Sequence, residues 1–150
     1  NGAYLPTENE HVDNHTTMDH TSSDGTSSEL YRGIMYGSST GVFNGKVFVR
    51  PDAQRTNAFQ QNTNIVADRG ASMNTKPELE IYADDVKCAH GCTVGQFDLD
   101  ALFYLKSRGI QEKAAKALLV EAFLADVISS VPSTELRKEI MKIYQERHGW

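Results

Sequence analysis

The chemistry in this chain is densest at Cys88-Ala89-His90-Gly91-Cys92, a cluster of soft metal ligands. On an extended strand, residues 88, 90 and 92 point to one face together with Val86 and Val94. Neighbours two apart lie ~6.6 Å apart along a strand, so Cys88 and His90 can reach one ion. Cys88 and Cys92 lie about twice as far apart, and all three share an ion only if Gly91 bends the chain. Thiolate and imidazole favour zinc, copper or iron–sulfur chemistry over calcium or magnesium. Three ligands are one short of a closed tetrahedral site. The opposing reading is structural: free cysteines pack as small buried hydrophobes, and the histidine is a hydrogen-bonded neighbour.

Other polar groups carry less. His11 and His15 share a strand face but lie ~13 Å apart, and His20 points the other way, so the three read as solvated histidines. Asp84-Asp85 looks like a carboxylate pair, yet adjacent strand residues face opposite sides, which rules out shared acid–base work. The glycosylation acceptor Asn14-His15-Thr16 means nothing without a secretory leader. The sequence has no Gly-rich phosphate loop, no nucleophile elbow and no HExxH. No autonomous enzyme is visible in it.

The elements that must position these residues fall into three textures. Residues 1–30 hold six acids and no Lys or Arg, which accounts for the whole net charge of −5. With few apolar residues and the run Thr21-Ser22-Ser23-Asp24-Gly25-Thr26-Ser27-Ser28, this segment reads as loop or solvated strand. From Tyr31 to Gly95 the texture is β. Val42–Val49 is β-branched and aromatic, Asn57–Asp68 is polar, and Leu79–Ala83 and Val86–His90 alternate in period two. Turn signals stand at Arg50-Pro51-Asp52, Asp68-Arg69-Gly70 and Lys76-Pro77. Short strands without helices between them predict a sandwich, a barrel or a β-solenoid. The run Gln60-Gln61-Asn62-Thr63-Asn64 suits the side-chain ladders of a solenoid, although no clean repeat period is readable. Asn44-Gly45 between apolar residues is a hairpin cue that disagrees.

At Asp98 the pattern turns helical. Asp98 is the expected N-cap of a helix stopped by Gly109. A second helix runs from Gln111 to Val131, ended by Pro132, with apolar spacing at Ala114, Ala115, Leu118, Leu119, Ala122 and Phe123. A third spans Ser133 to about Arg147, with Leu136, Ile140, Ile143 and Tyr144 on one stripe. The expected organisation is a β body over 1–97 and a helical domain over 98–150. With 39% hydrophobic and 23% charged residues the chain can bury a core. Its acidic balance excludes nucleic acid and anionic membrane as main partners. Charges interrupt its longest apolar stretch, which excludes a membrane span. Two cysteines are too few for a disulfide scaffold. Asn1 in first position, in place of Met, points to a piece of something longer.

Four ordered stretches resemble a known family. Gly41–Val47, Pro51–Thr56, Thr75–Gly91 and Ala101–Ile110 are similar, in that order, to the C-terminal part of SufD proteins, scaffold subunits of the SUF iron–sulfur cluster assembly system. The resemblance covers roughly Tyr31 to the end, about the final third of the family's length. It implies a right-handed parallel β-helix followed by a small α-helical domain, and it overrides the hairpin cue. It also implies a non-enzymatic scaffold that holds no cofactor stably alone, with a transient iron–sulfur cluster in the complex. The implied partners are a SufB-like subunit at the β-helix and a SufC-like ABC ATPase at the C-terminal helices, with a homodimer as a further assembly. His90 matches the family histidine implicated in nascent cluster assembly, and Cys88 and Cys92 are secondary ligand candidates. Cys92 departs from the family pattern, which has alanine there. Phe103, Tyr104, Arg108 and Tyr144 are the expected ATPase-contact residues. The main scaffold cysteine of SufB would fall near Gln61-Asn62-Thr63, where no cysteine stands, so SufD is the better match. The implied location is bacterial cytoplasm or plastid stroma. The rival readings are a β-helix carbohydrate-processing enzyme and a purely structural interaction module.

Overall fold

The computed structural model describes residues 1–149. Two compact units divide the chain, one spanning Gly2–Gln96 and one beginning at Phe97.

The first unit is a parallel β-helix, as expected. Its strands are β1 (Gly2–Tyr4), β2 (His11–His20), β3 (Thr26–Met35), β4 (Thr40–Val49), β5 (Asn57–Val66), β6 (Ser72–Ile81) and β7 (Lys87–Gly95). They alternate between two sheets, ordered β1-β3-β5-β7 and β2-β4-β6, with every pairing parallel. Each strand thus bonds to the strand two ahead, and the chain winds in coils. Gly2 pairs with Tyr31, His11 with Thr40, Thr26 with Asn57, Thr40 with Ser72 and Asn57 with Lys87. One coil therefore takes between 29 and 32 residues, and that drift hides the repeat from any fixed sequence period.

The middle coil is closed. Along β4 every second residue is buried, namely Gly41, Phe43, Gly45, Val47 and Val49. One part of the interior is apolar: Val47, Val49, Ala53, Ala58 and Ala83 cluster together, with Met18, Leu79, Val86 and Cys88 packed against them. Removing a side chain such as Val or Phe from water contributes about 1.5–3 kcal/mol.

Several sequence cues are resolved here. Of the two readings of residues 1–30, loop or solvated strand, the strand holds for most of the segment, which carries β1, β2 and the start of β3. Two of their acids are matched one coil later: Arg50 Nε and Nη2 donate to Asp19 at 3.1 and 3.0 Å, and Arg55 does the same to Asp24 at 2.7 and 2.6 Å. Asn44-Gly45 makes no hairpin and lies within β4. A Cβ at Gly45 would stand 2.5 Å from Gln60 Nε2 and 2.7 Å from the Phe43 ring, so this glycine makes room across the interior. Lys76-Pro77 is not a turn; Pro77 sits in β6, an edge strand, where a missing N–H on the unpaired side costs nothing. His20 is buried, and its Nε2 lies 2.9 Å from Ser27 Oγ, while His11 and His15 stay exposed.

The second unit contains α1 (Leu99–Ser107), α2 (Glu112–Ser129) and α3 (Thr134–His148). Asp98 caps α1 by accepting from Ala101 N at 2.9 Å, and Gly109 takes the left-handed conformation just beyond its end. Ser133 caps α3 by accepting from Leu136 N at 3.2 Å. On α2 the buried positions are Ala115, Val120, Leu124 and Val127. Of the apolar positions that gave the helical spacing, Ala114, Leu118 and Ala122 are exposed. Both faces of α2 carry apolar residues, so periodicity could not separate them.

Candidate functional site

The ligand cluster lies on β7, the last strand of its sheet, which bonds to β5 on one side. The register sets Ala58, Gln60, Asn62 and Asn64 opposite Cys88, His90, Cys92 and Val94. In-register parallel strands keep paired side chains on one face. The four β5 residues are buried in the interior, so the four β7 residues occupy the same inward column one coil further on. The coil closes over β5 but not over β7: His90 and Cys92 are exposed, and Cys88 is half-buried.

The three ligand candidates therefore differ in surroundings. Cys88 packs at the edge of the apolar cluster beside Ala58. Burial pushes its thiol up, opposed by a hydrogen bond with the Ala58 backbone. Cys92 is a free, exposed thiol. His90 sits between them, open to solvent and next in register to Gln60. β7 runs unbroken through Gly91, which has no positive φ, so the chain is not bent there. Cys88 and Cys92 thus remain ~13 Å apart along the strand, beyond one ion. Among the described residues no group of three or more His, Cys, Asp or Glu is placed to hold a metal. Asp84-Asp85 is exposed in the bend between β6 and β7, where Asp85 N donates to Gln54 Oε1 at 3.0 Å. It is part of a corner and not a carboxylate pair on a strand.

Beneath β7 lies a polar interior. Asn64 Nδ2 donates to Asn62 Oδ1 at 2.6 Å, Thr75 Oγ1 donates to the same oxygen at 2.8 Å, and Asn62 Nδ2 donates to the Tyr4 hydroxyl at 3.0 Å. Tyr4 in turn donates to Asn64 Oδ1 at 2.6 Å, and burial pushes its hydroxyl up to about 12. Gln60 Nε2 donates to Glu29 Oε2 at 2.7 Å. The polar run 60–64 pointed to ladders, but its individual partners were not legible, because they lie at separations from 2 to 60 residues and follow no single period.

In the helical unit Phe103 is 74% and Tyr104 57% exposed, with Leu99 at 69% beside them in α1. Arg108 is also exposed, its guanidinium 5.3 Å from the Tyr104 ring centre. Tyr144 on α3 is half-buried, and burial raises its hydroxyl. Phe103, Tyr104 and Arg108 therefore form one exposed group on α1, and Tyr144 stands apart on α3. Among the described residues no helix is long and apolar enough to cross a membrane.

The chain is thus a parallel β-helix whose seventh strand is open and bears two thiols and an imidazole, followed by a helical unit. Comparison with known proteins makes this specific. A family model described as the SufBD core domain of SUF system FeS cluster assembly matches residues 1–123, and the chain belongs to that family. It is 42% identical over 125 residues to an iron–sulfur cluster assembly SufBD family protein of Synechocystis, covering 83% of this chain and 28% of that protein. It is 36% identical over 141 residues to the iron–sulfur cluster assembly protein SufD of Escherichia coli, covering 94% and 33%. It is also 39% identical over 106 residues to the chloroplastic protein ABCI7 of Arabidopsis thaliana, covering 71% and 22%. The chain thus spans about a third or less of the length of these relatives, and the SufD resemblance read from the sequence holds.

Proposed function

We propose that this chain is part of a SufD-like, non-enzymatic scaffold subunit on which the SUF system builds iron–sulfur clusters. The open inward column of β7, with exposed His90 as its central soft ligand, carries this reading. The nascent cluster is cargo. Cys88 and His90 offer two neighbouring soft ligands, too few to hold a cluster, so sulfide and groups from across an interface complete the site. Neutral imidazole coordinates near physiological pH without the deprotonation a thiol needs, which suits His90 to an early iron-binding step. A SufB-like subunit covers the open coil, and an ABC ATPase of the SufC kind binds the helices through Phe103, Tyr104 and Arg108. Aromatic and Arg side chains exposed together are typical interface anchors. The setting is the bacterial cytoplasm or the plastid stroma, in keeping with the sources of the relatives.

The test is anaerobic reconstitution with iron and sulfide in the presence of the SufB-like subunit and the ATPase. His90→Ala should lower cluster content per folded complex while subunit association persists. Normal loading in that variant would overturn the ligand role. Deleting residues 98–150 should abolish ATPase capture in a pull-down, and undiminished capture would overturn the helical contact.

A further inference from the structure

Gln60 holds a buried oxygen that no described side chain or backbone group uses. The residue is 2% exposed, its Nε2 is committed to Glu29 Oε2 at 2.7 Å, and its Oε1 is buried with no hydrogen-bond partner among the described residues. An unmet buried acceptor is costly, and native interiors rarely leave one. The register shows which side chain lies beyond it. Glu29 is the β3 partner of Gln60, and His90 is its β7 partner. In-register neighbours on one face stand ~4.8 Å apart, so the Gln60 amide lies between the Glu29 carboxyl and the His90 imidazole. With the nitrogen turned to Glu29, the oxygen is left for the coil above. Gly45 serves the same amide from the opposite sheet, since a Cβ there would come within 2.5 Å of Gln60 Nε2.

A neutral imidazole has one N–H donor and one bare nitrogen. We propose that Gln60 is a positioning residue for His90: the exposed ring, which makes no hydrogen bond to Gln60 in this structure, turns so that its N–H reaches Oε1, and that bond selects one tautomer. The bare nitrogen then points out of the open coil, where a metal can take it. Metal-binding histidines are commonly held in this way, with the second ring nitrogen donating to a fixed oxygen. The proposal deepens the reading of His90 as a cargo ligand and rests on it, but the hydrogen bond itself needs no metal.

Nuclear magnetic resonance of the 15N-labelled protein, by long-range correlation to the His90 ring nitrogens above the imidazole titration, reads the tautomer directly. The wild-type protein should show one dominant tautomer. Gln60→Met keeps the length and removes the acceptor, and should return His90 to the mixed population of a free imidazole. Gln60→Glu keeps an acceptor oxygen and should restore the single tautomer. An unchanged tautomer ratio between wild type and Gln60→Met would overturn the proposal. The wild-type protein decides the matter even if Gln60→Met fails to fold. A His90 ring N–H slowed in exchange and close to the Gln60 amide protons supports the bond, and absence of both signs overturns it. Cluster loading separates the two ideas: normal loading in His90→Ala, with the signature present in the wild-type protein, overturns the ligand role alone, whereas reduced loading in His90→Ala, with no signature in the wild-type protein, overturns the positioning role alone.

Discussion

Strands β5 and β7 are neighbours in one sheet, paired residue for residue, yet they meet opposite conditions. On β5 the inward residues Ala58, Gln60, Asn62 and Asn64 are enclosed by β4 and the coils on both sides. On β7 the matching residues Cys88, His90, Cys92 and Val94 face an end that the fold leaves largely uncovered. The same backbone geometry thus encloses side chains at one level and presents them to solvent at the next. Inside the closed coil Tyr4, Asn62, Asn64 and Thr75 satisfy one another, and Gln60 Oε1 is left over. The soft ligands collect where the column stops and another molecule can reach them.

The largest expected break in this contrast comes from the closed coil. Phe43 is fully buried, and Phe43→Ala should cost about 3–5 kcal/mol in a denaturant titration. A loss below about 1 kcal/mol would mean that the middle coil is not the stable part. Asn62→Leu comes next, because it strips acceptors and donors from Asn64, Thr75 and Tyr4 together. Each buried group left unsatisfied costs about 1–3 kcal/mol, measurable by the same titration. On the open coil, His90→Ala should cost only about 0.5–1.5 kcal/mol, the net contribution of its proposed hydrogen bond to Gln60. A loss of several kcal/mol would mark His90 as core.

The two cysteines sharpen the comparison along a single strand. Cys92 should react with iodoacetamide several-fold faster than Cys88, whose thiol is raised by burial, as read by mass spectrometry over a time course. Equal rates would mean that the apolar edge beside Ala58 does not shield Cys88.

How much of this was legible depends on the reach of each signal. The alternation of Val42–Val49 spans a few residues, and the β expectation there holds. The Asp98 cap and the Gly109 stop were equally local. Signals that act across a coil were hidden. The acids of residues 1–30 looked like a solvated tail because Arg50 and Arg55 answer Asp19 and Asp24 from 31 residues away. Gly45 looked like a turn residue because Gln60, for which it makes room, lies on another sheet. The column Glu29, Gln60 and His90 needed the register itself, since nothing in the sequence aligns those three. The cysteine–histidine cluster was found, and its exposure was not.

The smallest effect belongs to the helical unit. Lys106, joined by Lys116, holds the Glu112 carboxyl down to about 2 from an ordinary 4.5. A depressed carboxylate supports the folded state fully above its ordinary range and loses that support as pH falls through its folded value. Helical content should therefore decline between about pH 4.5 and 2, and Glu112→Gln should flatten that part of a circular dichroism titration. A wild-type curve already flat there would show that the pairing does not hold the helix ends.

The drift in coil length has a consequence of its own. Strands β2 to β6 each keep ten residues, so the difference between 29 and 32 is absorbed at the corners. Those corners nonetheless repeat their own geometry: Asp24 and Arg55 occupy equivalent places with φ of 62° and 58°. Growth along the axis is therefore modular. Loops can lengthen, and whole coils can be gained or lost upstream, without shifting which side chains reach the terminal strand. The place of the terminal strand is written by its distance from the last coil rather than from the first residue, and this leaves such a body free to vary in length while presenting the same open face.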